Sequence, residues 1–68
     1  MAELAKAAVE RIIRKASGLR VSDKAALELA EILEEIALKI SQEAALLARH
    51  AKRKTVTASD IRLAARKL

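Results

Sequence analysis

The stretch that decides the fold is DKAALELAEILEEIALKISQEAALLARHA, residues 23–51. It has no proline or glycine, and apolar residues recur in it every three or four positions, as one face of an α-helix requires. The stripe consists of Ala26, Ala30, Leu33, Ile36, Ala37, Ile40, Ala44 and Leu47. A helix of about 29 residues is about 43 Å long, which is longer than a small domain is wide.

Two sets of capping residues flank this helix. Gly18 can take the left-handed conformation that ends a preceding helix, and Ser22 can cap the long one. Thr57, followed three residues later by Asp60, forms a weaker version of a capping box and predicts a third helix. The sequence therefore predicts a short helix, a long helix and a short helix, at about 3–16, 23–51 and 58–67.

The composition indicates a chain that needs a partner. With 68 residues the sequence predicts a single domain, and a chain of this size buries only about 60% of the surface that it exposes when unfolded. It has no cysteine and only one histidine, so neither disulfides nor a thiolate metal site stabilise it. Two short helices cover only part of the long one, so we expect an intertwined homodimer.

Charge is segregated along the chain. Residues 1–24 carry a net +3, residues 25–48 a net −4, and residues 49–68 a net +6. This pattern fits either an ordinary solvated surface or, if the two ends meet in the fold, one cationic face. The absence of aromatic residues disfavours stacking on single-stranded bases. Duplex DNA, bound through its phosphates with low sequence specificity, suits such a face better.

Several motifs in a fixed order resemble the archaeal histones, which are histone folds without tails. The resemblance covers nearly the whole chain, and its most specific parts are RIIRKA (11–16), RVSD (20–23), ILEE (32–35), LARHA (47–51), RKTV (53–56) and DI (60–61). It implies an all-α histone fold over residues 1–68, in which two chains clasp head to tail. Loop one of each chain then lies beside loop two of its partner.

The resemblance also implies roles for individual residues. Lys54 and Thr55 match a loop-two pair that contacts phosphates, and Arg20 matches a loop-one arginine that enters the minor groove. The full set of expected DNA-binding residues is Arg11, Arg14, Lys15, Arg20, Lys54 and Thr55. A purely structural role, in which Thr55 only stabilises its loop, stays open.

Two further sets of residues have expected roles, the second of them from the resemblance. Arg53 is expected to pair with Asp60 and brace loop two rather than contact DNA. Leu47, His50, Asp60 and Leu63 match positions where dimers meet through a four-helix bundle, with protonated His50 facing Asp60 of the neighbouring dimer. A structural role for His50 is the alternative, and no metal site is expected.

One position departs from the resemblance. Lys52 stands where related sequences often have glycine. If the backbone there is left-handed, lysine costs roughly 1 kcal/mol. Otherwise the long helix ends differently and loop two is repositioned.

The sequence thus predicts a protein that binds double-stranded DNA, wraps and compacts it, and assembles from dimers into tetramers or longer stacks. The alternative is a histone-fold assembly module that binds a protein partner, or coats DNA without wrapping it. There is no Ser/His/Asp spacing or glycine-rich loop, so an enzyme with a cofactor or small-molecule substrate is not expected. Without a leader or a long apolar run, the sequence predicts a cytoplasmic, nucleoid-associated protein rather than a membrane protein.

Overall fold

The chain is all-α over the part described by a computed structural model, which covers the backbone of residues 2–67 and the side chains of residues 5–67. It forms the helices α1 (Ala2–Ser17), α2 (Asp23–His50) and α3 (Ala58–Ala65). The predicted order of short, long and short helices is confirmed, although α3 ends two residues earlier than predicted. None of the described helices is both long enough and apolar enough to cross a membrane.

Loop one joins α1 to α2 through the two predicted capping residues. Gly18 has a φ of 70°, and its N–H donates to the carbonyl of Arg14 at 2.8 Å, which ends α1 in a left-handed turn. Ser22 Oγ accepts a hydrogen bond from the N–H of Ala25 at 3.0 Å, as an N-cap does at the third helical position. Both capping predictions are confirmed.

The chain divides into two compact units, Met1–Glu35 and Ile36–Leu68, and α2 runs as one continuous helix through both. In the first unit the buried apolar residues are Val9 on α1 and Ala26 and Ala30 on α2. An ion pair between Lys6 Nζ and Asp23 Oδ1, 3.5 Å apart, also links α1 to the start of α2. The pair is exposed at Asp23, so it adds little stability.

In the second unit, too, alanines form most of the buried core. Its buried apolar residues are Ala44 and Ala48 on α2 and Ala64 on α3. In each unit the two α2 alanines are four residues apart, and therefore lie one above the other on a single helix face. Side chains this small let another helix approach closely.

The small core leaves large apolar side chains uncovered. No large side chain is fully buried among the described residues, and Leu33 and Ile36 in the centre of α2 are 43% and 38% exposed. Fully burying a leucine or isoleucine gains about 1.5–3 kcal/mol, whereas the methyl group of an alanine gains about 0.8 kcal/mol. Ordering each residue costs about 1–2 kcal/mol in backbone entropy. Residues 5–67 therefore bury little large apolar surface within one chain.

We expect Gly18→Ala to lower the free energy of unfolding by about 1 kcal/mol, because an L-residue is strained at positive φ. A Cβ at this position would meet no heavy atom within 4 Å, so the loss would be conformational rather than steric. Urea denaturation followed by circular dichroism, at matched protein concentration, measures it. Gly18→Asn is the control and should lose less, because asparagine tolerates the left-handed region. Equal stability of wild type and Gly18→Ala would contradict the proposed role of the turn.

Candidate nucleic-acid interface

Loop two begins where α2 ends in a Schellman motif. The N–H of Lys52 donates to the carbonyl of Arg49 and the N–H of Arg53 to that of Ala48, both at 2.9 Å. Lys52 has a φ of 58° and is the one residue other than glycine with positive φ in the described chain. Of the two alternatives raised by the sequence, the left-handed backbone is the one observed, at a cost of roughly 1 kcal/mol relative to glycine.

Arg53 and Asp60 join the start of loop two to α3. Two nitrogens of the Arg53 guanidinium donate to the two carboxylate oxygens of Asp60, each at 2.8 Å. Arg53 also donates to the carbonyl of Thr55 at 3.0 Å. The Asp60 side chain is only 4% exposed, whereas that of Arg53 is 39% exposed. This bidentate geometry fixes the orientation of the Arg53 guanidinium as well as its position.

The carboxylate of Asp60 also completes the N-terminus of α3. The N–H and the hydroxyl of Thr57 donate to Asp60 Oδ2 at 2.9 and 3.1 Å, and the N–H of Asp60 donates to Thr57 Oγ1 at 3.4 Å. The predicted capping box is therefore confirmed, with aspartate in place of glutamate. One carboxylate thus serves both as a helix cap and as a loop brace.

This network favours the ionised form of Asp60. The hydrogen bonds from Arg53 are the largest cause that holds the pKa of Asp60 well below its usual range, and the backbone N–H of Thr57 lowers that pKa further. The same pairing raises the pKa of Arg53. Because the pKa of Asp60 is depressed, its contribution to stability is present above the unfolded value of about 3.9 and is lost as the pH falls below it.

Lys54 and Thr55 lie between the two ends of this brace. Both are exposed. Among the described residues, no ion pair engages Lys54 and no hydrogen bond engages the Thr55 hydroxyl. Lys54 lines a groove of about 320 Å³ together with Arg49, Arg53 and Val56. An ammonium group and a hydroxyl on a braced loop are suited to bind phosphate oxygens.

The remaining predicted DNA-binding residues lie in the first unit. Arg20 is exposed in loop one, and Arg11 and Lys15 are exposed on α1. Arg14 differs from them, because its guanidinium pairs with Glu10 one turn earlier, at 2.6 Å. Exposed pairs of this spacing contribute only about 0.3–0.5 kcal/mol, so a phosphate can compete for Arg14. The first unit therefore offers exposed cations that carry no counter-charge within the described residues, together with one weakly held arginine.

A second surface surrounds the end of α2. Leu46, Leu47 and His50 line a groove of about 410 Å³ with Arg49, and an ion pair between Glu43 and Lys67 at 3.0 Å borders it. This groove contains two of the four residues expected where dimers meet. Its apolar and charged lining is typical of a contact surface rather than a catalytic cleft.

The other two expected dimer–dimer residues are placed differently. Leu63 is 47% exposed on α3, but Asp60 is buried and its Oδ2 already accepts three hydrogen bonds. Oδ1 accepts one, from Arg53. The contacts observed for Asp60 are thus with Arg53 and Thr57 of its own chain. A contact with His50 of another dimer stays a prediction.

Sequence reasoning missed the ion pair between Lys67 and Glu43, in which Nζ of the lysine lies 3.0 Å from Oε2 of the glutamate. The two residues are 24 positions apart, so no local pattern indicates the contact. The pair between Glu10 and Arg14, in contrast, has the i,i+4 spacing that predicts it from sequence. No group of His, Cys, Asp and Glu suited to a metal occurs among the described residues.

The described residues form an all-α protein with a short, a long and a short helix, the order expected of a histone fold. A family model described as histone-like transcription factor (CBF/NF-Y) and archaeal histone matches residues 2–65. A chain of the archaeal histone HAN1 from Thermococcus zilligii is 56% identical over 64 residues, which is 94% of this chain and 96% of the relative. Probable archaeal histone 3 of Methanocaldococcus jannaschii is 52% identical over 66 residues, covering 97% and 98%.

The chain belongs to this family of histone-like transcription factors and archaeal histones. Archaeal histones are structural proteins that bind DNA, form dimers and associate with the nucleoid, and they are not enzymes. The role of the chain is therefore that of an architectural DNA-binding protein. The predicted family, fold and general role are confirmed.

We expect Asp60→Asn to destabilise the protein at neutral pH, because the ionised carboxylate is the group that Arg53 and Thr57 favour. As the pH falls below about 4, Asp60 of the unfolded protein takes up a proton while the folded protein keeps the carboxylate ionised, so the advantage of the folded state shrinks. The difference in stability between the two proteins should therefore narrow with acid. Urea denaturation at pH 7, 4 and 3 measures the difference directly.

Asp23→Asn is the matched control for this measurement. It removes the same charge from an ion pair whose acidic partner is 86% exposed, so stability should change little at any of the three pH values. A gap between wild type and Asp60→Asn that stays constant from pH 7 to pH 3 would show that ionisation of Asp60 is not what stabilises loop two.

Proposed function

We propose that this chain binds double-stranded DNA without sequence preference, and that it wraps and compacts the DNA as homodimers that assemble into tetramers or longer stacks. The observation that carries the proposal is loop two. The Arg53–Asp60 brace holds its backbone, while Lys54 and Thr55 keep an exposed ammonium group and hydroxyl. Phosphate contacts of this kind position a protein on DNA without reading its sequence.

The homodimer is proposed as one histone-fold domain per chain, with two copies clasped head to tail. The uncovered apolar side chains in the centre of α2 support it, since a second copy would cover them. In this arrangement loop one of one chain lies beside loop two of its partner. Arg20 then joins Lys54 and Thr55 on one cationic surface, flanked by Arg11, Arg14 and Lys15 of α1.

Assembly beyond the dimer is proposed to use the groove at the end of α2. Leu47 and His50 line it, and Leu63 exposes an apolar side chain on α3. The contact is expected to pair the same surfaces of two dimers, as a two-fold interface does. The proposed location is the cytoplasm, in association with the nucleoid.

The alternative function is an assembly module that pairs with a protein partner or coats DNA without wrapping it. The exposure of Leu38 favours it, since this leucine lies outside the apolar stripe of α2 and is 59% exposed. A module that only pairs with a protein needs no exposed phosphate-binding pair in loop two, so duplex binding separates it from the proposed function. Compaction of long duplexes, measured beside binding, separates wrapping from coating.

The homodimer is tested by placing a charge on the apolar stripe. We expect Leu33→Lys to abolish the dimer and most of the helical signal, because a charge would be buried between two chains and the single chain lacks a sufficient core. Sedimentation equilibrium and circular dichroism measure mass and folding. The control Leu38→Lys places the same charge outside the stripe and should leave a folded dimer. A Leu33→Lys protein that remains a folded dimer, or a wild type that is monomeric, would contradict the proposal.

The DNA-binding surface is tested by a salt series with duplexes of unrelated sequence. Arg20→Ala and Lys54→Ala should weaken binding to all duplexes alike, and Lys54→Ala should lower the slope of log affinity against log salt by about one for each chain that contacts DNA. Fluorescence anisotropy provides the affinities. The control Lys39→Ala removes a cation from the acidic middle segment and should change the slope less. Affinity indifferent to both loop substitutions would reject the proposed surface.

A further inference from the structure

The turn that ends α2 places an unusual residue next to the proposed phosphate-binding pair. Lys52 occupies the left-handed position of the Schellman motif, where its N–H bonds the carbonyl of Arg49 at 2.9 Å. Nothing in that geometry uses the lysine side chain, because both hydrogen bonds of the motif come from backbone atoms. Glycine would make the same turn without strain. A strained residue that the turn itself does not require indicates a second role for its side chain.

The charge around Lys52 indicates what that role is. Arg49, Lys52, Arg53 and Lys54 bring four cations into six positions. The guanidinium of Arg53 is committed to Asp60. Lys52 and Lys54 are exposed, and no ion pair engages either of them among the described residues. Of the three cations at positions 52–54, Arg53 is thus paired within the chain, whereas Lys52 and Lys54 face solvent.

A structural explanation for Lys52 competes with a binding one. A cation at a helix C-terminus interacts favourably with the partial negative charge of the last carbonyls. Arg49 already lies in the last turn of α2, so this favourable charge is supplied without Lys52. The effect is also screened by salt and small at an exposed site, whereas the positive φ is a permanent cost.

We propose that Lys52 is a further DNA-binding residue, whose ammonium group contacts backbone phosphate oxygens of the duplex bound by Lys54 and Thr55. This inference rests on the proposed function. It assigns Lys52 to positioning on the phosphate backbone rather than to base recognition, because a flexible ammonium group acts as a point charge. The left-handed turn presents this cation at the cost of stability.

The proposal predicts opposite changes in stability and binding for one substitution. Lys52→Gly should raise the urea midpoint of unfolding, because the strain is removed, and should weaken duplex binding, because a phosphate contact is lost. The slope of log affinity against log salt should fall by about one for each chain that contacts DNA. Lys52→Gln should lower affinity and slope in the same way without raising the midpoint, because it keeps a side chain at positive φ.

Two reference variants make the test specific. Lys39→Gln removes the same charge from the acidic middle segment and should change the slope less than Lys52→Gln does. Lys54→Ala reports whether loop two contacts phosphate at all. All proteins are compared as full chains on the same duplexes, with folding checked by circular dichroism at each salt concentration.

Three results would overturn the inference, and they differ from one another. If Lys54→Ala lowers the slope while Lys52→Gly and Lys52→Gln leave it unchanged, Lys52 serves only the end of α2 and the proposed function stands. If Lys39→Gln lowers the slope as much as Lys52→Gln, the effect is one of net charge rather than of contact. If wild type does not bind duplex DNA at low salt, the proposed function itself fails.

Discussion

The constraint on which the rest of the structure depends is the size of the side chains that one chain can bury. Except for Val9, every buried apolar residue in the described chain is an alanine. Alanines let helices approach closely but contribute little burial energy each, while the larger residues of α2 stay partly exposed. In the proposed homodimer, the same helix packs against its own chain with one edge of its apolar face and against the second chain with the other. Stability and the DNA-binding surface of the proposed dimer then form in one association step.

Loop two shows how a short connecting segment can present cations in fixed positions. Long cationic side chains on a free loop lose much entropy on binding, and a phosphate contact must offset that loss. Here Asp60 caps α3 and also accepts two hydrogen bonds from Arg53, so the loop backbone is tied to a helix before any DNA is present. The guanidinium of Arg53 stays charged but is engaged by Asp60, so it is less available to DNA. The side chain of Lys54, in contrast, extends from an ordered backbone. The buried carboxylate of Asp60 thereby orders a loop that carries several positive charges.

The helices and the caps were predictable because local chemistry decides them. Gly18, Ser22 and Thr57 act within three or four residues of their own positions, and each capping prediction is confirmed. The pairing of Lys67 with Glu43 was not predictable, because it depends on packing between residues 24 positions apart. The placement of the loop-two side chains was only partly predictable from the sequence. The sequence predicted the Arg53–Asp60 pair, but only the structure shows that the Asp60 side chain is just 4% exposed within its own chain.

At position 52, the stability of the turn favours glycine, whereas the positive charge requires lysine. A left-handed residue at the end of α2 is required by the hydrogen bonds of the turn, and glycine is the residue that satisfies this requirement without strain. Lysine adds a positive charge at the same point and accepts a cost of roughly 1 kcal/mol. For a dimer, the cost is incurred twice, once in each chain, but a duplex that contacts both loops also gains two cations. Because charge contacts with DNA weaken as salt rises while backbone strain does not, the balance between the two depends on ionic strength. With the proposed phosphate contact, the protein–DNA complex is more stable with lysine at position 52 at low salt, and with glycine there at high salt.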